Sequence, residues 1–295
     1  LTLEEPAMHA AAVIHLTLAL MLAQNAAGQQ AAEAPAKDAP SPAAKALAAF
    51  KAEAGQINIR VERGQGEKLV LEKEPALRWT NPARTGEDGA LFVWSSGSGR
   101  PEAIGTIFTY RFGDKINRKH ELHSLALAPL SAEFQARTVW SPREAGITFQ
   151  PLEKAPTVAA NSRLRLSQMK ALARDFSASM RDMEDEQFQL RLLTQPLIRY
   201  EPKDEQVLDG AIFAFSLGTD PEVLLILEAR GGKEGHQWQY ALARFHYIEL
   251  TVQHNGRQVW RAEALKNFSN FNLGAPECRE SIYTTYHVER NIPLE

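Results

Sequence analysis

The sequence is nearly without cysteine. Cys278 is the only one in 295 residues, which excludes an intramolecular disulfide, a Cys-based zinc site and a CxxC redox pair. It also lacks a charge excess: 33 Lys and Arg stand against 36 Asp and Glu, a formal net charge of −3. Nucleic-acid binding needs clustered positive charge, so no nucleic-acid partner is expected. No apolar run approaches the ~20 residues of a membrane-spanning helix. GxSxG, GxxxxGK[ST] and HExxH are all missing, and with them the usual nucleophile, phosphate-loop and zinc-protease frames. Nothing calls for a metal or a cofactor. What remains is the composition of a folded protein, 44% apolar, long enough to bury roughly three quarters of its unfolded surface without covalent staples.

The most apolar segment is Ala10–Ala23, AAAVIHLTLALMLA. It is too short to cross a bilayer but suits the ~7–15-residue apolar region of a secretory signal. Small residues at Ala26, Ala27 and Gly28 offer a cleavage point. Residues 1–28 therefore read as a signal region starting at Met8, although no Lys or Arg lies between Met8 and the run. The other reading is a buried N-terminal helix. The expected location is the periplasm, the cell envelope or the medium, with the membrane met only through the transient signal. Residues 29–42 are Ala/Pro-rich and read as a flexible tether. Ser41-Pro42 reads as the cap and first residue of a short helix ending near Ala54.

The body of the chain repeats itself. Leu77–Gly97 aligns with Ile198–Gly218 at a constant spacing of 121, with seven of 21 positions identical. Among them are Arg78/Arg199, Asp88/Asp209, Gly89/Gly210 and Phe92/Phe213; Trp79/Tyr200 and Trp94/Phe215 are similar in kind. Pro101-Glu102 then matches Pro221-Glu222, and Trp140 precedes Trp260 by 120 residues. Such a period is the mark of a duplicated unit. Each unit reads as an antiparallel meander of β-branched, aromatic and aliphatic runs divided by Gly, Asn, Asp and Pro. In the second, WQYALARFHYIELTV is a single long run. A hairpin around the turn RGQGEK precedes the first copy, and a strand near Ile282–Val288 follows the second.

Leu166, Met169, Ala173, Phe176, Met180 and Met183 recur at steps of 3 and 4, which predicts one amphipathic helix over about 162–183 linking the copies. Its Arg and Lys residues read as a solvated face. The domain plan is thus a short helix and first β copy over 43–160, a connecting helix over 161–187, and a second β copy with a tail strand over 188–295. The fold class is mainly β, α+β at the margin: two duplicated meanders packed as a sandwich or a partial barrel. Phe92 and Trp94 share one strand face, as do Phe213 and Phe215, and these aromatic faces are expected to meet between the copies.

GRPEA at Gly99–Ala103, RLRLSQMKALARDF, LRLLTQPLIRY and DGAIFAFSLGTDPEVLLILEAR resemble an uncharacterised family of predicted exported proteins from planctomycete bacteria. The resemblance spans about 77–260. It implies export, and no activity, cofactor or catalytic residue.

The repeated acids are the first chemical candidates. Asp88 and Asp209 stand one in each copy, as in aspartic proteases, but in EDGA and LDGA they lack the hydroxyl residue that such sites place beside each acid, so a turn role competes. Glu102 and Glu222 form a second pair; paired carboxylates suit glycoside hydrolysis at the right separation, and the competing role is a polar strand edge. His120-Glu121-Leu122-His123 spaces its histidines three apart in a strand-like segment, which puts Glu121 and His123 on one face and spoils a metal site. Arg244 and His246 fall on the apolar side of their run, as a bulge, a satisfied pair or part of a cavity. Trp94, Phe215, Arg244 and His246 are the candidate ligand-binding residues. Two functions stay open: a non-catalytic binding or envelope protein holding a small ligand or partner between the copies, and a hydrolase using Asp88/Asp209 or Glu102/Glu222.

Overall fold

In a computed structural model the described residues form three sheets, one in the second half of the chain and two, bridged at Leu69, in the first. The model describes residues 41–64, 66–81, 87–204, 206–232, 235–265 and 276–293. Residues 1–40, which hold the expected signal region and most of the expected tether, lie outside these residues. The first half runs α1 (Pro42–Ala54), β1 (Ile57–Val61), β2 (Glu67–Lys68), β3 (Val70–Leu71), β4 (Leu77–Asn81), β5 (Glu87–Ser95), β6 (Pro101–Phe112), β7 (Lys115–Ser124), β8 (Leu130–Phe134) and β9 (Arg137–Trp140), followed by β10 (Gln150–Pro151). The second runs α2 (Ser162–Arg174), β11 (Phe176–Arg181), β12 (Gln187–Leu192), β13 (Ile198–Tyr200), β14 (Val207–Leu217), β15 (Asp220–Gly232), β16 (Gly235–Arg244), β17 (Glu249–His254) and β18 (Arg257–Ala262), followed by α3 (Pro276–Glu280) and β19 (Tyr283–Pro293). The fold is mainly β and antiparallel throughout, as its strand runs predict. No helix among the described residues is long and apolar enough to cross a membrane.

The halves pair their strands alike. Leu77, Arg78 and Trp79 of β4 face Leu91, Ala90 and Gly89 of β5; Ile198, Arg199 and Tyr200 of β13 face Ile212, Ala211 and Gly210 of β14. A bulge follows Trp94 where Ser95 meets Pro101, and another follows Phe215 where Ser216 meets Pro221. The backbone N–H of Leu125 donates to the Glu102 carbonyl, and that of Phe245 to the Glu222 carbonyl, each at 2.8 Å. The repeated Asp-Gly has a steric cause: a Cβ on Gly89 would lie 2.5 Å from the Trp79 ring, and one on Gly210 2.4 Å from the Tyr200 ring. Only glycine lets the aromatic lie across the neighbouring strand.

In the second half the sheet runs β10-β16-β15-β14-β12-β11-β17-β18. In the first, β19-β7-β6-β5-β3 and β2-β1-β8-β9 are joined by Leu69, whose N–H donates to the Ile59 carbonyl at 2.9 Å. The last strand of each path is exchanged: β10, which follows the first half, pairs with β16 of the second, and β19, which follows the second, pairs with β7 of the first.

Several expectations need correction. The helix predicted over 162–183 stops at Arg174, and Phe176–Arg181 is strand β11. Phe176, Ala178 and Met180 alternate with Ser177, Ser179 and Arg181, so the stretch satisfies a period of two as well as 3.6, and pairing with β12 and β17 decides it. α2 is not a connector: with Asn161 capping its N-terminus, it opens the second half as α1 opens the first. The run 238–252 is two strands separated by a corner at Phe245–Ile248, which is why Arg244 and His246 break the apolar pattern. EFQARTVW is likewise a hairpin. Gln135 and Ala136 take positive φ at its tip, as Asn255 and Gly256 do between β17 and β18, the primed turn that suits a twisted hairpin.

The aromatic faces do not meet. Phe92 and Trp94 lie in the core of the first half with Phe50 of α1, and Phe213 and Phe215 lie in that of the second with Met169 of α2. The layer between the halves is mainly aliphatic, Leu91, Val93 and Ile104 packing with Ile212, Ala214, Leu224 and Ile226 from the opposite strand faces, and its buried aromatics are Tyr200 and Phe245. Truncating either layer should lower stability, Phe213→Ala by about 3–5 and Leu224→Ala by about 2–5 kcal/mol. Urea unfolding should show one transition at a lower midpoint for both variants. Two separate transitions in Leu224→Ala would show that the halves fold independently.

Candidate functional site

β7 presents Lys119, Glu121 and His123 to the second half, while His120 and Leu122 on its other face point into the first half's own core, as strand alternation requires. Glu121 is flanked by Thr106 of β6 and Thr285 of β19. The second half contributes Asp220 and Glu222 at the start of β15, Arg244 at the end of β16, and His246 and Tyr247 in the corner that follows. The Tyr283 hydroxyl of β19 donates to Glu121 Oε1. Arg244 lies 5.6 Å over the Tyr283 ring and clamps the corner by donating to the carbonyls of His246 (2.9 Å), Ile248 (2.8 Å) and Glu263 (3.0 Å).

Burial dominates the electrostatics. It pushes the Glu121 carboxyl up to about 8; the Tyr283 hydrogen bond opposes this and the Glu222 charge adds to it. It pushes His123 down to about 4, against the bond from the ring to the Ser124 carbonyl. The Tyr283 phenol is raised by burial and then by Glu121. A carboxyl, an imidazole and a phenol thus all favour their neutral forms at pH 7.

Openings flank this cluster on two sides. The smaller, about 230 Å³, is walled by Phe108, Tyr110, Lys119, Glu121, Asp220, His246, Tyr247 and Thr285. The larger, about 520 Å³, is reached by His123 and Arg244 and bounded by Ile147, Tyr240, Trp260 and Ile282. Its rim carries Gly146, where a Cβ would come within 1.9 Å of the Ser124 carbonyl oxygen; no side chain fits there. A third cleft, about 740 Å³, lies between α1 and strands β9 and β19, where the first sheet fails to close. Behind its wall His120 sits 2.9 Å from both Glu53 of α1 and the Tyr286 hydroxyl.

The candidates named from sequence are scattered by the fold. Asp209 is fully buried and held by Arg165 at 2.7 Å and Arg199 at 2.5 Å; Asp88 pairs with Arg78 at 3.5 Å. Both serve their own halves. Glu102 and Glu222 are not edge residues but buried, at 1% and 0% exposure, each beside a bulge. Glu102 is met by Arg63 at 3.1 Å and Arg100 at 3.3 Å, whereas Glu222 adds its charge to the field at Glu121. Trp94 and Phe215 are core. Only Arg244 and His246 reach the openings, one into each. Glu121 and His123 do share a face. Lys119, Asp220, Tyr247 and Tyr283 were not singled out; the signal was three ionisable residues, Lys119, Glu121 and His123, on one strand face. Among the described residues no group of His, Cys, Asp and Glu is placed to hold a metal ion.

The shifts make a pH prediction. Glu121 ionises near 8 when folded against an ordinary 4.5, so its contribution to stability is complete below pH 4.5 and lost as pH rises toward 8. His123 titrates near 4 against 6.5, so its contribution is complete above pH 6.5 and lost as pH falls toward 4. The two oppose one another between 4.5 and 6.5. Above 6.5 only Glu121 of this pair acts, and stability should fall by about 1.4 kcal/mol per pH unit at first. Glu121→Gln should flatten that fall in urea titrations at pH 6.5 and 7.5; an unchanged slope would place its origin elsewhere.

No family model, curated protein or solved structure matches the chain, so the chemistry of the site is the guide to its role.

Proposed function

We propose that this is an exported, non-catalytic binding protein of the cell envelope, built from a duplicated unit, that holds a small ligand between its two halves. One observation carries the reading. The 230 Å³ pocket takes rings and ionisable side chains from both halves, Phe108, Tyr110, Lys119 and Glu121 from one and Asp220, His246 and Tyr247 from the other. Concave sites with convergent polar groups and a strongly shifted titratable group are where ligands bind. A binding role is favoured over hydrolysis because one acid of each repeated pair is clamped: Arg165 and Arg199 hold Asp209, and Arg63 and Arg100 hold Glu102. A carboxylate neutralised by two guanidiniums is a poor general base. Export is supported by the apolar run Ala10–Ala23 and by the resemblance to an exported family.

Two measurements test it. Expressed from Met8 in a bacterium with an envelope, the protein should mature to a chain starting near residue 29; Met8 retained on cytoplasmic protein would overturn export. Native mass spectrometry of the mature protein should show a bound small molecule. Removing one stacking ring in Tyr247→Ala costs about 1–1.5 kcal/mol, roughly tenfold in affinity, and should deplete that adduct. An adduct undiminished by Tyr247→Ala would place the ligand elsewhere.

A further inference from the structure

We propose that the occupant of the junction pocket is a neutral polyhydroxylated ring, the chemistry of a single sugar residue. This rests on the binding role proposed above. Size limits the ligand first. About 230 Å³ lies below the ~300–1,000 Å³ of pockets that take drug-sized molecules, so the site admits one ring and not a chain.

The walls then select among small molecules. His246 stacks on Tyr247 with centroids 4.5 Å apart and planes at 25°, giving the second half a flat aromatic step. From the first half, Phe108 and Tyr110 lie 6.3 Å apart. A ring entering here meets aromatic surface from both halves. Aromatic faces carry partial negative charge and attract the weakly positive C–H groups of a saturated ring. The same pocket is lined by Lys119, Asp220, Glu121 and Thr285, donors and acceptors together. A ligand of one charge would oppose either Lys119 or Asp220. Hydroxyls, which both donate and accept, match a wall that mixes donors with acceptors, and they add no charge.

Lys119 is held in place, its ammonium 4.9 Å over the Tyr110 ring. Asp220 sits at the position where the first half has Arg100: Gly99-Arg100-Pro101-Glu102 matches Thr219-Asp220-Pro221-Glu222. Arg100 is consumed by Glu228 at 2.9 Å and Glu102 at 3.3 Å. The exchange of Arg for Asp at one bulge gives this margin of the junction an acceptor in place of a buried cation.

The test uses the full mature chain and four probes: glucose, N-acetylglucosamine, glucuronate and phenylalanine, titrated calorimetrically at pH 7. At least one of the two neutral sugars should bind with Kd below about 1 mM, and more tightly than glucuronate or phenylalanine. Asp220→Asn and Tyr247→Ala should each weaken it about tenfold, and Tyr247→Phe, which keeps the ring, should retain it. Tyr247→Phe and Asp220→Asn also decide the matter if Tyr247→Ala does not fold. Preferential binding of phenylalanine or glucuronate, lost in Tyr247→Ala, would overturn the sugar assignment and keep the pocket. If no probe binds but native mass spectrometry shows another adduct that Tyr247→Ala removes, the ligand class is wrong and the binding role stands. If there is neither binding nor an adduct, both fall.

Discussion

The central strands of this protein are buried on both faces, and the rest of the arrangement answers to that constraint. β5 turns Phe92 and Trp94 into its own half and Leu91 and Val93 toward the other; β14 does the same with Phe213 and Phe215 against Ile212 and Ala214. A strand with two apolar faces must be covered twice. One cover is the curled sheet's own core and helix, and the other is the back of the second sheet. Polar groups are driven to the margins of the shared layer, where each must find a partner because water is scarce.

Those margins differ although the strand pairing repeats. On one, Arg100 reaches Glu228, which also accepts from the Tyr200 hydroxyl at 2.8 Å and pairs with Arg230. Charges there are balanced within a dense cross-half network whose Arg100 is held further protonated by Glu228. On the other margin the matching residue is Asp220, and Glu121 and Glu222 stand near one another. Balance comes instead from withholding charge, since burial keeps the Glu121 carboxyl protonated at neutral pH. The same backbone bulge therefore supports a locked ion-pair network on one side and, on the other, a ring-walled pocket lined by Lys119 and Asp220.

Much of the architecture was legible because its causes are local. Asp-Gly-Ala recurs because Trp79 and Tyr200 need a glycine beside them, and Pro-Glu recurs where Pro101 and Pro221 stand opposite Ser95 and Ser216 at the bulges. Asn255-Gly256 announces its hairpin; Gln135-Ala136 makes the same turn with residues that signal none. Helix α2 was overextended because Phe176, Ala178 and Met180 fit two periods, and the choice rests with strands that lie elsewhere in the chain. Arg165 was hidden among the exposed bases of a basic helix, yet it is 4% exposed and bonded to Asp209. The site was the least legible part. Glu121 is an ordinary strand glutamate until β19 and the second half close over it, and nothing within a few residues of it records that. The aromatic pairs misled for a related reason: two faces were apolar, and side-chain size does not say which one looks inward.

The exchanged edge strands set an order of manufacture. β16 is made after β10 and can find its neighbour as soon as it emerges. β7 has no such help, because Tyr283 pairs with His123 and the whole second half is synthesised between them. Until β19 arrives, the first half offers a bare row of backbone donors and acceptors, a template for any passing strand. The sheet that is begun first is thus the last to be sealed, and its hazard of mispairing lasts the longer.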